Sequence, residues 1–299
     1  MNKMYSPIII FTYNRLSHLK KLLISLAKNP ECKKSKAYIF IDGPKDNKDK
    51  INTDKIFNYM NNIDLFLSKQ IIYRSNNLGT ASSVIKGINY VANKEKKFIV
   101  LEEDLIVSNQ FLYFCNNLLQ LYKNEKNVWH INGWVFDNLK FEDEFFFSTH
   151  MSCWGWATWS DRWKNFKKIK KKTFYFDIKK NFKKKFDYLN SGSYLGLLLN
   201  FKRKANTWAV YWYYTIFKNK GLTITPYKTL VINSGFDFKS TNTKINYYSK
   251  SKIPKKKINS KLNFKKPFLD IKILDKINNL YIRKSIVLNI SIKIKELLY

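Results

Sequence analysis

The sequence predicts an α/β protein built on a mostly parallel sheet flanked by helices, and three observations carry that expectation. Over the first hundred residues, short apolar runs rich in Ile, Phe and Tyr alternate with longer segments of helical spacing. Each strand-like run ends in polar residues: Thr12 to Arg15, Asp42 and Gly43, Arg74 to Asn77, and Glu102 to Asp104. In a parallel sheet these carboxyl ends share one edge, which is where open α/β sheets bind ligands. The chain has 299 residues, 45% of them hydrophobic, enough for one large domain or two small ones with a real core.

The elements follow in order. "SPIIIFTYN" is the first strand, and "RLSHLKKLLISLAKN" sets Leu19, Leu22, Leu23 and Leu26 on one helical face. "KAYIFIDGPKD" is the second strand and its turn. The apolar segment "IFNYMNNIDLFLS" leads to the third strand, "KQIIYRSNN", and to the helix "GTASSVIKGINYVAN", which starts in small residues. "KFIVLEED" is the fourth strand, and "SNQFLYFCNNLLQLYK" is a helix with Ser108 as its expected N-cap. Beyond it, "NVWHINGW" and "EFFFSTHMSCWGWATW" read as strands and aromatic-rich loops. "NTWAVYWYYTIFKNKGL" is a helix closed by Gly221, and "TITPYKTLVINSGFD" a strand-like pair around Pro226. One domain over residues 1–243 is expected, with a lysine-rich insertion at about 164–190 and a basic extension over 244–299. The insertion fits either a solvated helix face or an anionic contact surface. The end of the extension satisfies both helical and alternating patterns, and suits a packed helix or a basic amphipathic element on a membrane surface.

Composition narrows the partners. The formal charge of +33 points to phosphate-rich or membrane partners, yet only Arg15, Arg74, Arg162, Arg203 and Arg283 are arginines. Lysine cannot supply the forks and stacking with which bases are read, so sequence-specific DNA binding is disfavoured. Cys32, Cys115 and Cys153 have no paired spacing and suggest reduced thiols in the cytosol. Three scattered histidines argue against a histidine-built zinc site. The apolar run near the N-terminus is short for a signal peptide, and no segment reaches the ~18 apolar residues of a membrane span. The absence of G-x-G-x-x-G after the first strand, and of G-x-x-x-x-G-K-[ST] anywhere, argues against dinucleotide oxidoreductases and P-loop hydrolases.

The chemistry gathers at "KFIVLEEDLIVSNQF". Glu102, Glu103 and Asp104 follow a buried-looking apolar run in a strongly basic chain. A hard divalent cation, Mn²⁺ or Mg²⁺, takes one or two carboxylates and keeps its other positions for water and phosphate, and Asp104 suits that task. Such a cation would stabilise a departing diphosphate, while Asp42 could accept from a base N–H or a sugar hydroxyl.

"SPIIIFTYNRLSHLKKLL", "YIFIDGPKD", "YRSNNLGTASSVIKGINYV" and "FIVLEEDLIVSNQFLYF", in that order, resemble the nucleotide-sugar half of GT-A glycosyltransferases. The resemblance is closest to bacterial family 2-like sugar transferases and more remote to N-acetylglucosaminyltransferase I. "MSCWGWATWSDRW" and "NTWAVYWYYTIFKNKGLTITPYKTLVINSGFD" resemble the second half of the bacterial group, so that residues 6 to 240 are spanned. The resemblance implies that Thr12, Tyr13 and Arg15 line a nucleotide pocket, Asp42 faces the uracil, and Tyr73 and Arg74 lie near the ribose and diphosphate. Glu102 would approach the ribose, Glu103 the transferred sugar and Asp104 the metal, with Gly79 letting the chain pass close to the donor. Strand-end packing and a helix-start turn explain Thr12, Tyr73 and Gly79 equally well. Trp154, Trp156 and Trp159 fit either sugar stacking at the donor and acceptor site or the core.

The sequence also departs from the pattern. The acidic motif is E-E-D, where N-acetylglucosaminyltransferase I has E-D-D and many relatives D-x-D. "NTWAVYW" has no carboxylate where the remote relative keeps its base, and Asn242 stands where bacterial relatives tend to have a histidine. An inverting transfer needs a base for the acceptor hydroxyl. Asp237 is the first candidate, with a turn cap as its other role; Asp161 is the second, with an ion pair as its other role.

The expectation is therefore a metal-assisted transferase moving a hexosyl or N-acetylhexosaminyl unit from a UDP-sugar to a hydroxyl of a surface-glycan or lipid-linked glycan acceptor. It would sit peripherally on an anionic membrane surface, at the cytoplasmic face of the inner membrane, with no nucleic acid partner. The alternatives are a nucleic-acid-binding protein using a lysine and aromatic groove, and an inactive transferase-like scaffold.

Overall fold

The computed structural model describes residues 5–135, 143–177, 182–186, 193–235, 253, 258, 261–269, 271, 273–277 and 279. The expected order of the first half is present: β1 (Ile8–Thr12), α1 (Leu16–Leu26), β2 (Lys36–Ile41), α2 (Asn47–Asn61), β3 (Ser68–Tyr73), α3 (Thr80–Ala92) and β4 (Lys97–Glu102). A short β5 (Leu105–Val107) precedes α4 (Phe111–Leu121). The second half contributes β6 (Val128–Asn132), β7 (Phe145–Ser148), β8 (Trp156–Trp159), α5 (Ser160–Trp163), α6 (Lys171–Asp177), α7 (Phe182–Phe186), α8 (Ser193–Phe201), α9 (Ala209–Lys218), β9 (Leu222–Pro226) and β10 (Val231–Asn233).

Eight strands form one sheet in the order β3-β2-β1-β4-β8-β6-β9-β7, and β10 pairs with β5 in a second, two-stranded sheet. The α/β class holds, with the first four strands forming an all-parallel half. β1 lies between β2 and β4 and is parallel to both, and β2 is parallel to β3. β8 runs antiparallel to β4 and to β6, β6 is parallel to β9, and β7 is antiparallel to β9. The sheet is therefore mixed. The strand-like pair around Pro226 does not pair with itself, because β9 joins the main sheet while β10 crosses to β5.

Alternation along the central strands divides the core in two, as period-2 side-chain placement requires. Ile8, Ile10, Ile39, Ile41, Ile99 and Leu101 pack on one face with Leu19, Leu22 and Leu26 of α1 and Leu112 and Cys115 of α4. Ile9, Phe11, Phe40, Phe98 and Val100 face the other side, against α3 and a set of rings that includes Trp156, Trp163, Trp208 and Trp212. Among these, Trp156 stacks on Trp208 with centroids 5.4 Å apart and on His130 at 4.9 Å. Burial pulls His130 down to about 3, so it is a neutral core residue that accepts from Trp212 Nε1 at 3.2 Å.

Local end signals differ from expectation in two places. Gln110 caps α4, while Ser108 lies two residues earlier and accepts from the Gln110 N–H through Oγ at 3.3 Å. After α9 the left-handed residue is Lys220, with φ of 51°, and Gly221 serves instead to leave room for the Trp129 ring. Of the lysine-rich insertion, residues 164–170 form a turn and coil and α6 and α7 are helical, and three of its rings point inward: Phe174, Phe182 and Phe186 are buried in the aromatic core. These three aromatic residues, spaced between lysines, therefore pack the interior and are not displayed for stacking on bases.

Candidate active site

The carboxyl ends of β1, β2, β3 and β4 lie along one edge, and the strand order reverses between β1 and β4, the switch point at which such sheets open a crevice. Glu103 sits there as the hub. Its backbone N–H extends the β1–β4 ladder to Phe11 O at 3.0 Å, which fixes the direction of its side chain. Oε2 accepts from the Thr12 hydroxyl and from the Tyr13 N–H, the latter at 2.6 Å, and Oε1 accepts from Arg15 Nε at 2.9 Å. The same guanidinium reaches Asp104 Oδ2 with Nη2 at 3.0 Å. One arginine thus bridges two of the three acids, an arrangement suited to its planar fork.

Glu102 has no such donor: no described residue hydrogen-bonds to its carboxylate. Burial, then the Asp104 charge and then the Glu103 charge push its pKa up to about 8, with Arg15 opposing. The first half of the site therefore carries more negative charge than Arg15 compensates. Asp104 is fixed from behind, since its carbonyl accepts from the Ser234 N–H at 2.7 Å and from the Ser234 hydroxyl at 2.9 Å. Gly235 follows so closely that a Cβ there would lie 2.3 Å from Asp104 Oδ2.

The loops beside this centre are braced. Asp42 accepts from the Gly43 and Leu78 N–H groups through Oδ1, at 3.1 and 3.0 Å, and from the Gly79 N–H through Oδ2 at 3.0 Å. Three of its roughly four acceptor positions are thereby used in clamping the turn before α3, so it presents little free capacity to a base. Gly79 has φ of +72°, a conformation that glycine adopts without cost, and a Cβ there would meet nothing within 4 Å. Arg74 donates to the Ser83 hydroxyl and carbonyl, lies 3.6 Å from Asp42 and passes over the Phe40 ring. Tyr73 turns away toward α2, with its hydroxyl on Thr53 and Asp54, each at 2.7 Å, and its ring stacked on Phe57. Tyr13 donates to Asp49, which also accepts from Asn14 Nδ2 at 2.7 Å.

The structure thus brings together Thr12, Tyr13, Arg15, Glu102, Glu103 and Asp104, with Asp42, Arg74 and Gly79 alongside, while Tyr73 serves the packing of α2. The Trp motif divides. Trp156 is fully buried in the aromatic core, and Trp159 is buried in the aliphatic core with its Nε1 donating to Leu119 O at 3.0 Å. Neither can stack on a sugar. Trp154 is part-exposed, lies two residues beyond the point where β8 pairs with Val100, and packs edge-on to Trp134 with centroids 4.8 Å apart. It alone of the three borders the acidic end.

Asp161 is at the wrong end. Lys97, the first residue of β4, pairs with Trp159, so the residues after β8 emerge at the amino edge of the parallel strands. There Asp161 binds Arg162 at 2.7 Å and Lys126 at 2.8 Å. Burial alone would raise its pKa, but these hydrogen bonds outweigh it and hold the pKa below the ordinary value. Asp237 lies outside the described residues, as does Asn242. Sequence reasoning passed over Asp49, Ser83 and Ser234. Of these only Asp49 had a local signal, its place in the first turn of α2 after the Asp46 cap.

No protein-family model matches the chain, and no curated protein matches it in sequence. Among solved structures, TarS 1-349 of S. aureus overlaps 52% of this chain with 16% identity and a TM-score of 0.36. The same protein in complex with UDP overlaps 48% with 18% identity and a TM-score of 0.32. The mannosyltransferase PcManGT from Pyrobaculum calidifontis, in complex with GDP-Man and Mn²⁺, overlaps 43% with 12% identity and a TM-score of 0.31. This chain spans 47%, 40% and 35% of those chains respectively, less than half of each. Overlaps this partial leave the functional reading to the site's own chemistry.

Proposed function

We propose that this chain is a nucleotide-sugar-dependent glycosyltransferase of the GT-A kind, taking a UDP-sugar as donor. The observation that carries the reading is the acidic cluster at the β1–β4 switch point, where Glu103 is saturated by Thr12, Tyr13 and Arg15 while Glu102 has no donor. An excess of carboxylate in a crevice otherwise suited to an anionic ligand makes sense when a cation joins the two. The order and spacing of the motifs resembling family 2-like transferases support the same reading.

The residues fit a hard divalent cation, Mn²⁺ or Mg²⁺. Asp104 and Glu102 have carboxylate oxygens that no described residue engages, and one or two carboxylates are what such an ion takes from a protein when phosphates supply the rest. Among the described residues no group of three or more His, Cys, Asp or Glu side chains is arranged to hold a metal. When bound, the cation supplies charge stabilisation for the departing diphosphate. Glu103 would not be a ligand; it holds Arg15 and the Tyr13 backbone in place. Tyr13 would cover the nucleoside from the β1 side, Arg15 and Arg74 would meet phosphate charge, and the turn clamped by Asp42 would border the base. Trp154 would face the sugar. Asp237 is the proposed base for the acceptor hydroxyl in an inverting transfer to a surface or lipid-linked glycan, with the protein peripheral on a membrane.

Calorimetric titration of UDP with and without Mn²⁺ tests the reading. Manganese-dependent binding that disappears in Asp104→Ala is expected. No binding of UDP or GDP under either condition would overturn it.

A further inference from the structure

Half of the large apolar side chains exposed on the described surface lie within eight residues. Of eight such side chains, Phe264, Phe268, Leu269 and Ile271 are four, with exposures of 50, 59, 39 and 68%. Patches of this kind on a soluble surface mark a contact. The segment is held from beneath by hydrogen bonds to its backbone and by the Phe264 ring, which stacks on Tyr122 with centroids 5.3 Å apart. The Gln110 side chain donates to Ile258 O at 3.1 Å and accepts from Ile258 N at 2.6 Å. The Tyr122 hydroxyl does the same for both backbone groups of Lys265, each at 3.0 Å. The strap is thus pinned at both ends of α4, with Ile258 and Leu262 turned into the aliphatic core. Phe268, Leu269 and Ile271 are left exposed on this anchored backbone.

Charge identifies the occupant. Lys261 and Lys266 are exposed within the strap, and Lys265 pairs with Asp143 at 2.6 Å while lying over the Phe145 ring. Asp275 is the other exposed acid described nearby. Lysine beside apolar anchors is the composition of a membrane-surface element, whereas the cores of protein interfaces are depleted in lysine. A second copy of this chain would bring its own formal charge of +33 to the same face. Among the described residues no helix is long and apolar enough to cross a membrane.

We propose that this strap is the membrane-docking element, seating Phe268, Leu269 and Ile271 in the headgroup region of an anionic bilayer while Lys261 and Lys266 meet lipid phosphates. The inference deepens the peripheral part of the reading above and uses no residue of the donor site, so the two fail separately. It also assigns the docking to a hydrophobic contact on the strap ahead of the lysine-rich insertion.

The full chain is mixed with phosphatidylcholine vesicles with and without about one-third phosphatidylglycerol, and the bound fraction is read by flotation. Binding is expected only with the anionic lipid, with a part that survives ~0.5 M salt because it is apolar. In Phe268→Ser/Leu269→Ser the vesicle affinity should fall about tenfold or more and the salt-resistant part should vanish, with UDP binding and melting temperature unchanged. Lys261→Ser/Lys266→Ser should lose mainly the salt-sensitive part. Wild-type protein that ignores anionic vesicles overturns the inference, as does a Phe268→Ser/Leu269→Ser variant that binds like wild type. So does a wild-type dimer that this variant dissolves, which would make the face a protein contact.

Discussion

The antiparallel pair β4–β8 ends in carboxylates at both edges of the sheet, and the two ends are built in opposite ways. At the amino edge, Asp161 is half-exposed and fully answered by Arg162 and Lys126. At the carboxyl edge, three acids share one arginine, and the least-served of them, Glu102, is pushed up to about 8. The difference teaches that a strand-end carboxylate is a site candidate through what it lacks. A balanced pair adds little even to stability, while unbalanced charge in a crevice persists only where something else answers it.

Removing the ring of Trp156, the β8 residue that pairs with Val100, should have the largest effect. Trp156→Ala removes a fully buried ring that touches Trp208, Trp163 and His130, and thermal or urea unfolding should show a loss of about 3–5 kcal/mol. Trp154→Ala, in the bend just before the acidic end of β8, should cost well under half of that and act mainly on donor binding. Next comes the hub: Glu103→Ala strands the Thr12 hydroxyl, the Tyr13 N–H and Arg15 together, and a loss of about 3 kcal/mol is expected along with nucleotide binding.

A pH series sharpens the contrast. The Glu102 pKa is raised from 4.5 to about 8, so the native state holds a proton that the unfolded chain releases, and the stability it contributes is present below pH 4.5 and lost as pH rises to about 8. In metal-free buffer, Glu102→Gln should therefore melt increasingly above wild type across that window, by roughly 5 °C at its upper end. A constant offset would mean that the charge imbalance is not real. The smallest effect belongs to the other end: Asp161→Asn should cost about 1 kcal/mol or less and leave UDP binding untouched, which calorimetry reads directly.

Much of this contrast was hidden in the sequence. The strands, the helices of the first half and the convergence of Thr12, Arg15, Glu103 and Asp104 were legible, because hydrophobic period and strand-end position are local signals and parallel strands share an edge by construction. The direction of β8 was not. Nothing within "CWGWATWSDRW" says whether it runs with or against β4, and that direction sends Asp161 away from the crevice, while the covering of both sheet faces buries Trp156 on one side and Trp159 on the other. Asp42 misled for a different reason: an acid after a strand suits a base-facing acceptor as well as a turn clamp, and the choice depends on the Leu78 and Gly79 N–H groups 36 and 37 residues later. Ser234 was unreadable because its partner is a backbone carbonyl 130 residues earlier.

The fit of Gly235 against Asp104 offers the experimenter a control that charge mutants cannot give. A single methyl group at position 235 would wedge directly against the carboxylate while leaving every formal charge in place, and the backbone there is not in the left-handed region. Gly235→Ala is therefore a purely steric off-switch. If it abolishes manganese-dependent UDP binding as completely as Asp104→Ala, the position of that one carboxylate matters as much as its presence.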